Sequence, residues 1–330
     1  MKHSLKSVFV AAALAVSVLP LQSAHAEYNL TLCGASPGGL WSLLGAGTDA
    51  AVKEAFPGST VTYQTSGGGF ANVVLLDQGK CDLAIIHDAE VKSARAGEQP
   101  FSAPVDSMRS LAVMYTWAPM QMLVSKDYAE ENGITTLEDI AAKKLPINIL
   151  LNKKGNVVSD VGASMLKAVG ASPEQIEEWG GSVTYAASKE QGELMRDRRA
   201  DAILNSLFVN HSSIRELASA IDLSLIPVTQ GTADAVVKEW NIAPFTIKGG
   251  TYDWAPNDTL TVTVSAQLFV REDADPAMVK DITMALLDHS DKISGVHKAM
   301  AALDTKLMAS GSAAPYHQAA EEVYKARGLR

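Results

Sequence analysis

The sequence predicts an α/β protein of two lobes, each a mostly parallel sheet flanked by helices with a ligand cleft between them. Three observations carry this. Short β-rich runs alternate with helical runs along most of the chain, which is the pattern of a parallel sheet with crossover helices. The alternation occurs as two similar series, one on each side of residue 120. The length beyond an N-terminal leader, 304 residues, exceeds the size at which one core usually stops growing.

The leader is residues 1–26. Lys2 and Lys6 precede an apolar run from Val8 to Leu19, and small residues stand at Ala24 and Ala26. This is the form of a secretory signal peptide cleaved after Ala26, and the run is shorter than the roughly 20 residues of a spanning helix. Export to the periplasm is the expectation. The chain carries 28 Lys and Arg against 37 Asp and Glu, a net of −9, and loss of the two leader lysines makes it −11. Such a balance argues against a nucleic-acid partner.

The first series spans 27–120. It reads YNLTLC as a strand, Leu40 to Ala55 as a helix, TVTYQT as a strand, Phe70 to Gln78 as a helix, DLAII as a strand, Asp88 to Ala96 as a helix and SLAVMY as a strand. Phe56-Pro57-Gly58 ends the first helix, and Gly79 and Gly97 stand at the C-caps of the next two. The second series, 121–263, begins at MQMLVSK. Thr135 and Glu138 have the spacing of a capping box, INILL follows, and helix starts recur at Ser172-Pro173 and Ser188-Lys189. Residues 264–330 return to the first lobe after the strand Thr259 to Arg271, with a helix capped by Asp275-Pro276 and another within Pro315 to Gly328. Asp82 and Asp201 occupy matching places, each after a basic turn and before a buried strand. Cys33 ends one strand and Cys81 begins another, which in parallel neighbours sets them a strand length apart and argues against a disulfide.

Several motifs that mimic catalytic signatures fail on chemistry. Gly34-Ala35-Ser36-Pro37-Gly38 matches G-x-S-x-G, but Pro37 has no N–H to offer an oxyanion. Gly45-Ala46-Gly47 follows a helix instead of a strand, so it does not read as a dinucleotide loop. The histidines never occur in i, i+4 pairs or beside cysteines, so no metal site is expected, and no cofactor is expected.

What remains is a set of polar, glycine-rich turns at the carboxyl ends of successive strands, where open parallel sheets bind ligands. They hold Ser36, Gly38 and Gly39; Ser66, Gly67 and Gly68; His87 and Asp88; Tyr115; Asn156, Val157 and Val158; and Asn205 with Ser206. The turns at Gly38, Gly68 and Asn156 lead into helices whose first N–H groups can hold an anion, and no arginine is among them. Asn72 reaches either the ligand or its own turn. Asp88 either orients the ligand or caps the helix behind it. Leu40 and Trp41 line the pocket, or Trp41 packs in the core. Lys153 and Lys154 read as a solvated surface pair.

With these residues in view, the chain resembles the TAXI group of solute-binding proteins that serve TRAP transporters. The likeness runs through Gly34 to Gly47, Pro57-Gly58 with Ser66-Gly67-Gly68-Gly69-Phe70-Ala71-Asn72, Gly79 to Asp88, Arg109 to Val124, Asp201-Ala202, Tyr252 to Val270 and His317 to Tyr324. The resemblance implies a two-lobe periplasmic-binding fold, an organic acid or amino acid ligand such as glutamate or 2-oxoglutarate, and delivery to a membrane permease; the lack of a usable nucleophile, metal cluster or cofactor motif favours a binder over an enzyme, and a monomer is expected. A sensor or an enzyme on the same fold is the competing reading. Gly38-Gly39-Leu40-Trp41-Ser42-Leu43 replaces the group's G-G-T-Y-Y-P, losing two tyrosines and gaining an indole, which points toward a more apolar carboxylate. Asn152-Lys153-Lys154-Gly155-Asn156-Val157-Val158 likewise departs from its glycine–serine stretch.

Overall fold

A computed structural model describes residues 26–330, so the leader lies outside the described residues except for Ala26. Ten strands form one sheet: eight follow the order β2-β1-β3-β10-β4-β7-β5-β6, and two lie off that path, β8 paired to β4 and β9 to β10. The strands that matter for the cleft are β1 (Asn29–Cys33), β2 (Thr60–Gln64), β3 (Leu83–His87), β4 (Met108–Ser125), β5 (Asn148–Leu151), β6 (Ser182–Tyr185), β7 (Ala202–Ser206), β8 (Leu223–Ile226), β9 (Ala243–Ile247) and β10 (Thr259–Arg271). The first lobe has β1, β2 and β3 parallel, and the second has β5, β6 and β7 parallel.

The two lobes are joined by two long strands. SLAVMY and MQMLVSK are not separate strands; they are the halves of β4, whose 18 residues pass without a turn from one lobe to the other. Met108 to Pro119 pairs with β10, while Met120 to Ser125 pairs with β7 and β8. β10 divides in the same way, pairing with β9 up to Thr263 and with β3 from Ala266, with register shifts on its β4 side between Val264 and Phe269. Hydrogen bonds pin the crossing: Thr261 Oγ1 donates to Met120 O at 2.7 Å and Tyr252 Oη to Gln121 Oε1 at 2.6 Å.

The matched aspartates do the same work in each lobe. The Asp82 carboxylate accepts the Thr31 N–H at 2.7 Å, and Asp82 N–H donates to Thr31 O; Asp201 accepts Asn148 N–H at 2.8 Å and donates to Asn148 O. Each closes a β-α-β unit by tying the entry of one strand to its parallel neighbour, at the middle of β1 for Asp82 and at the start of β5 for Asp201. Both sit ahead of strands with fully buried residues, Leu83 to Ile86 and Ala202 and Leu204.

Two local expectations are corrected. Cys33 and Cys81 are bridged, with Cα atoms 5.8 Å apart. β3 meets β1 only at Leu32–Leu83 and Cys33–Ala84, so its approach lies beside the end of β1 and not a strand length behind it. Thr135 and Glu138 do not form a capping box: the helix Glu138–Ala142 has no side-chain cap at Leu137. Glu138 instead accepts the N–H and hydroxyl of Thr229 and the hydroxyl of Thr232, at the start of Gln230–Trp240. Asp139 takes Thr135 and Thr136. Hydrogen bonds from both threonines hold the Asp139 carboxyl below its ordinary range against the effect of burial.

Candidate functional site

Four helices bring their starts to the seam between the lobes: α1 (Leu40–Ala55), α2 (Gly69–Asp77) and α3 (Asp88–Ala96) from the first, and, after the short α4 (Lys126–Glu131) and α5 (Glu138–Ala142), α6 (Val157–Ala168) from the second. The lobes touch there. A Cβ on Gly68, whose φ is +122°, would fall 2.7 Å from Asn156 Cβ and from Gly155 O, so only glycine fits between the facing turns.

Beside this contact lies a cavity of about 40 Å³, room for about three water-sized groups. The first lobe lines it with Ala35, Ser36, Gly39, Leu40, Trp41, Gly67, His87 and Tyr115, and the second with Asn152, Lys153, Asn156, Val158, Ser188, Ser206 and Leu207. Of the residues singled out in the sequence, Ser36, Gly39, Leu40, Trp41, Gly67, His87, Tyr115, Asn156, Val158 and Ser206 reach it. Gly38, Ser66, Gly68, Asn72, Asp88, Val157 and Asn205 do not. Ala35, Asn152, Lys153, Ser188 and Leu207 were not anticipated. Lys153 and Lys154 are exposed, in keeping with the solvated reading; Lys153 also borders the cavity, while Lys154 lies over the Tyr185 ring at 4.5 Å.

The side chains outside the cavity build its walls. Asn72 is fully buried and serves its own turn: Nδ2 donates to Gly34 O and Ile85 O at 2.8 and 2.9 Å, and Oδ1 accepts from Ser66 Oγ at 2.6 Å. Ser66 in turn accepts the Gly68 N–H. Asp88 is not the cap of α3, a place held by His87; its carboxylate accepts Ser265 Oγ and Gln267 Nε2 at 2.8 and 2.7 Å, fastening α3 to β10. Asn205 links Ser188, Gln191 and Asn152 across three turns of the second lobe.

Inside the cavity, Trp41 is 4% exposed and part of both core and wall. Its indole N–H donates to Tyr115 Oη at 3.0 Å, and its ring lies 4.6 Å from that of His87. Tyr115 Oη is 3.4 Å from His87 Nε2. Burial pushes the Tyr115 hydroxyl up from its ordinary value, keeping it a neutral hydrogen-bonding group. His87 Nδ1 lies 3.1 Å from Glu90, as the base of a catalytic triad lies from its acid, but Nε2 faces Tyr115. Among the described residues no hydrogen bond joins Ser36 to His87.

The helix starts differ in a way that corrects the anion-binding expectation. α6 is already satisfied by the protein: Val157 N–H donates to Glu90 Oε1 at 2.7 Å and Val158 N–H to Asn156 Oδ1 at 2.9 Å. The Glu90 carboxylate also lies where a Cβ on Gly69, the first residue of α2, would stand. α1 begins at Gly39 with no side-chain cap and no acid in its first turn, and Gly39, Leu40 and Trp41 all border the cavity. Its first N–H groups and positive dipole end face the cavity, whereas α2, equally uncapped, starts against the Glu90 carboxylate.

The fold is shared with solved solute-binding proteins at low identity. Periplasmic binding protein BugD aligns at 12% identity and a TM-score of 0.58, over 92% of this chain and 98% of that one. MatC from Rhodopseudomonas palustris with bound malate gives 13% and 0.56, over 83% and 88%. PhnD1 from Prochlorococcus marinus in complex with methylphosphonate gives 12% and 0.54, over 92% and 99%. The NMT1-like family profile matches residues 32–328, nearly the whole described chain, and the protein belongs to the NMT1-like family.

Proposed function

We propose that this chain is an extracytoplasmic solute-binding protein of the TAXI kind. It captures a small organic acid or amino acid, glutamate- or 2-oxoglutarate-like or a more apolar carboxylate, and delivers it as a monomer to a TRAP-type membrane permease. The observation that carries the reading is the cavity itself, lined by both lobes at the carboxyl ends of their strands and bordered by the uncapped start of α1; it takes a carboxylate-sized group, and the rest of the ligand projects through its open side. The leader 1–26 directs the chain to the periplasm, and among the described residues no helix is long and apolar enough to cross a membrane. The lobes are 27–120 with 264–330, and 121–263, a division supported by the change of partners along β4 and β10.

In this reading the ligand carboxylate sits on the first N–H groups of α1, with Ser36 beside it. Trp41 and Leu40 cover its apolar part, and Asn156, Ser188 and Ser206 close over it from the second lobe. The protein binds without turnover, since Pro37 denies Ser36 an oxyanion donor. Calorimetry against a panel of small carboxylates, with the amide of the tightest one, tests this. The acid binds, the amide is weaker by about tenfold or more, and affinity changes little between low and high salt because screening acts weakly on buried groups. Mass spectrometry after long incubation recovers the ligand unchanged. Equal affinity for the amide, or a modified ligand, overturns the reading.

A further inference from the structure

Glu90 is the third residue of α3 and is completely buried. A buried carboxylate needs hydrogen-bond donors to offset its lost hydration, and Glu90 draws them from both lobes. Oε2 accepts the His87 N–H at 3.0 Å and lies 3.1 Å from His87 Nδ1. Oε1 accepts the Val157 N–H across the seam at 2.7 Å. An ideal Cβ on Gly69 would come within 1.5 Å of Oε2, so the carboxylate rests against the backbone at the start of α2. Three helix starts therefore converge on one side chain.

We propose that Glu90 is a positioning residue that acts as a built-in anion: it latches α6 of the second lobe to α2 and α3 of the first, and excludes a ligand carboxylate from that junction. The inference rests on the two-lobe closure read above. The Glu90 oxygen takes the place that an anionic ligand would take on α6, and any ligand carboxylate is left the start of α1. A second anion beside Glu90 would also meet Asp160, whose carboxyl is pushed up to about 6 by burial and then by the Glu90 charge.

Hydrogen exchange at the Val157 amide tests this in the full chain without any physiological ligand, so its failure is separable from failure of the proposed function. The wild-type amide is protected and does not respond to added formate. In Glu90→Gln, which keeps the shape and one acceptor oxygen but loses the charge, protection falls by about three- to thirtyfold, the difference between a hydrogen bond to a charged and to a neutral acceptor. In Glu90→Ala protection is lost, and formate, but not formamide, restores it by filling the vacated anion site. A purely space-filling role would not produce that rescue. Should Glu90→Ala fail to fold, Glu90→Gln decides: unchanged Val157 protection in a folded Glu90→Gln protein overturns the latch. In a folded Glu90→Ala, failure of formate to restore protection overturns the anion role.

Discussion

The starts of α1 and α6 face the same seam from opposite lobes, and both follow glycine-containing turns. At α6 the donors are consumed: Asn156 caps Val158 and Glu90 takes Val157. At α1 no side chain caps the helix and the flanking residues line a cavity. Similar turns thus serve different purposes, one holding the lobes together and one left for a ligand. A helix start is an anion site only where the protein has not already supplied the anion.

The largest effect that can break this contrast comes from two glycines. Gly69→Ala forces a methyl into the Glu90 carboxylate, and we expect a stability loss of about 3 kcal/mol in urea unfolding, in the range of overpacked cores. Gly39→Ala, at the N-cap of α1, meets nothing closer than Ser36 O at 3.5 Å and is expected to cost under about 1 kcal/mol. Equal costs would mean that the two helix starts are not differently occupied.

Next come the asparagines of the second lobe. Asn205→Ala removes the partner of Ser188, Gln191 and Asn152, and we expect a stability loss of about 2 kcal/mol because the polar groups of Ser188 and Gln191 are left buried. Asn156→Ala removes only a cap within α6 and is expected to cost about 1 kcal/mol. Both variants are expected to weaken carboxylate binding by about 1–3 kcal/mol, Asn156 through the cleft wall and Asn205 through the turns behind it. Wild-type affinity in both folded variants would move the site elsewhere.

The smallest effect is electrostatic. Asp160 follows the start of α6, and burial with the nearby Glu90 charge raises its carboxyl from 3.8 to about 6. A raised folded value means the native state holds the proton more tightly than the unfolded chain, so this group's destabilising effect is full above about pH 6 and fades as pH falls toward 4. Asp160→Asn is therefore expected to be more stable than wild type at pH 7, with the difference shrinking as pH falls to 4. A difference independent of pH in urea titrations would show that Glu90 and burial do not act on Asp160 as described.

The architecture was legible where local chemistry repeats. Asp82 and Asp201 marked the same closure in both lobes because each precedes a buried strand after a basic turn, and the glycine turns marked the carboxyl ends of strands. The continuity of β4 was hidden, since Trp117-Ala118-Pro119 looks like a break yet pairs with β10 through Ala118 and Pro119. The disulfide was misjudged because parallel register, which staggers β3 against β1, cannot be read from strand lengths alone. Glu90 was missed altogether: it has the i, i+3 spacing of a capping box, but behind a histidine instead of a serine or threonine. Ser188 and Asn152 reach the cleft only through folding, and no local pattern distinguishes them from ordinary turn residues.

A crystal structure of the protein with the tightest carboxylate from the calorimetric panel tests the central claim most directly. The account predicts the carboxylate within about 3 Å of the first N–H groups of α1, between the lobes, with Glu90 still bound to Val157. A carboxylate seated on α6 with Glu90 displaced, or bound outside the seam, would contradict it.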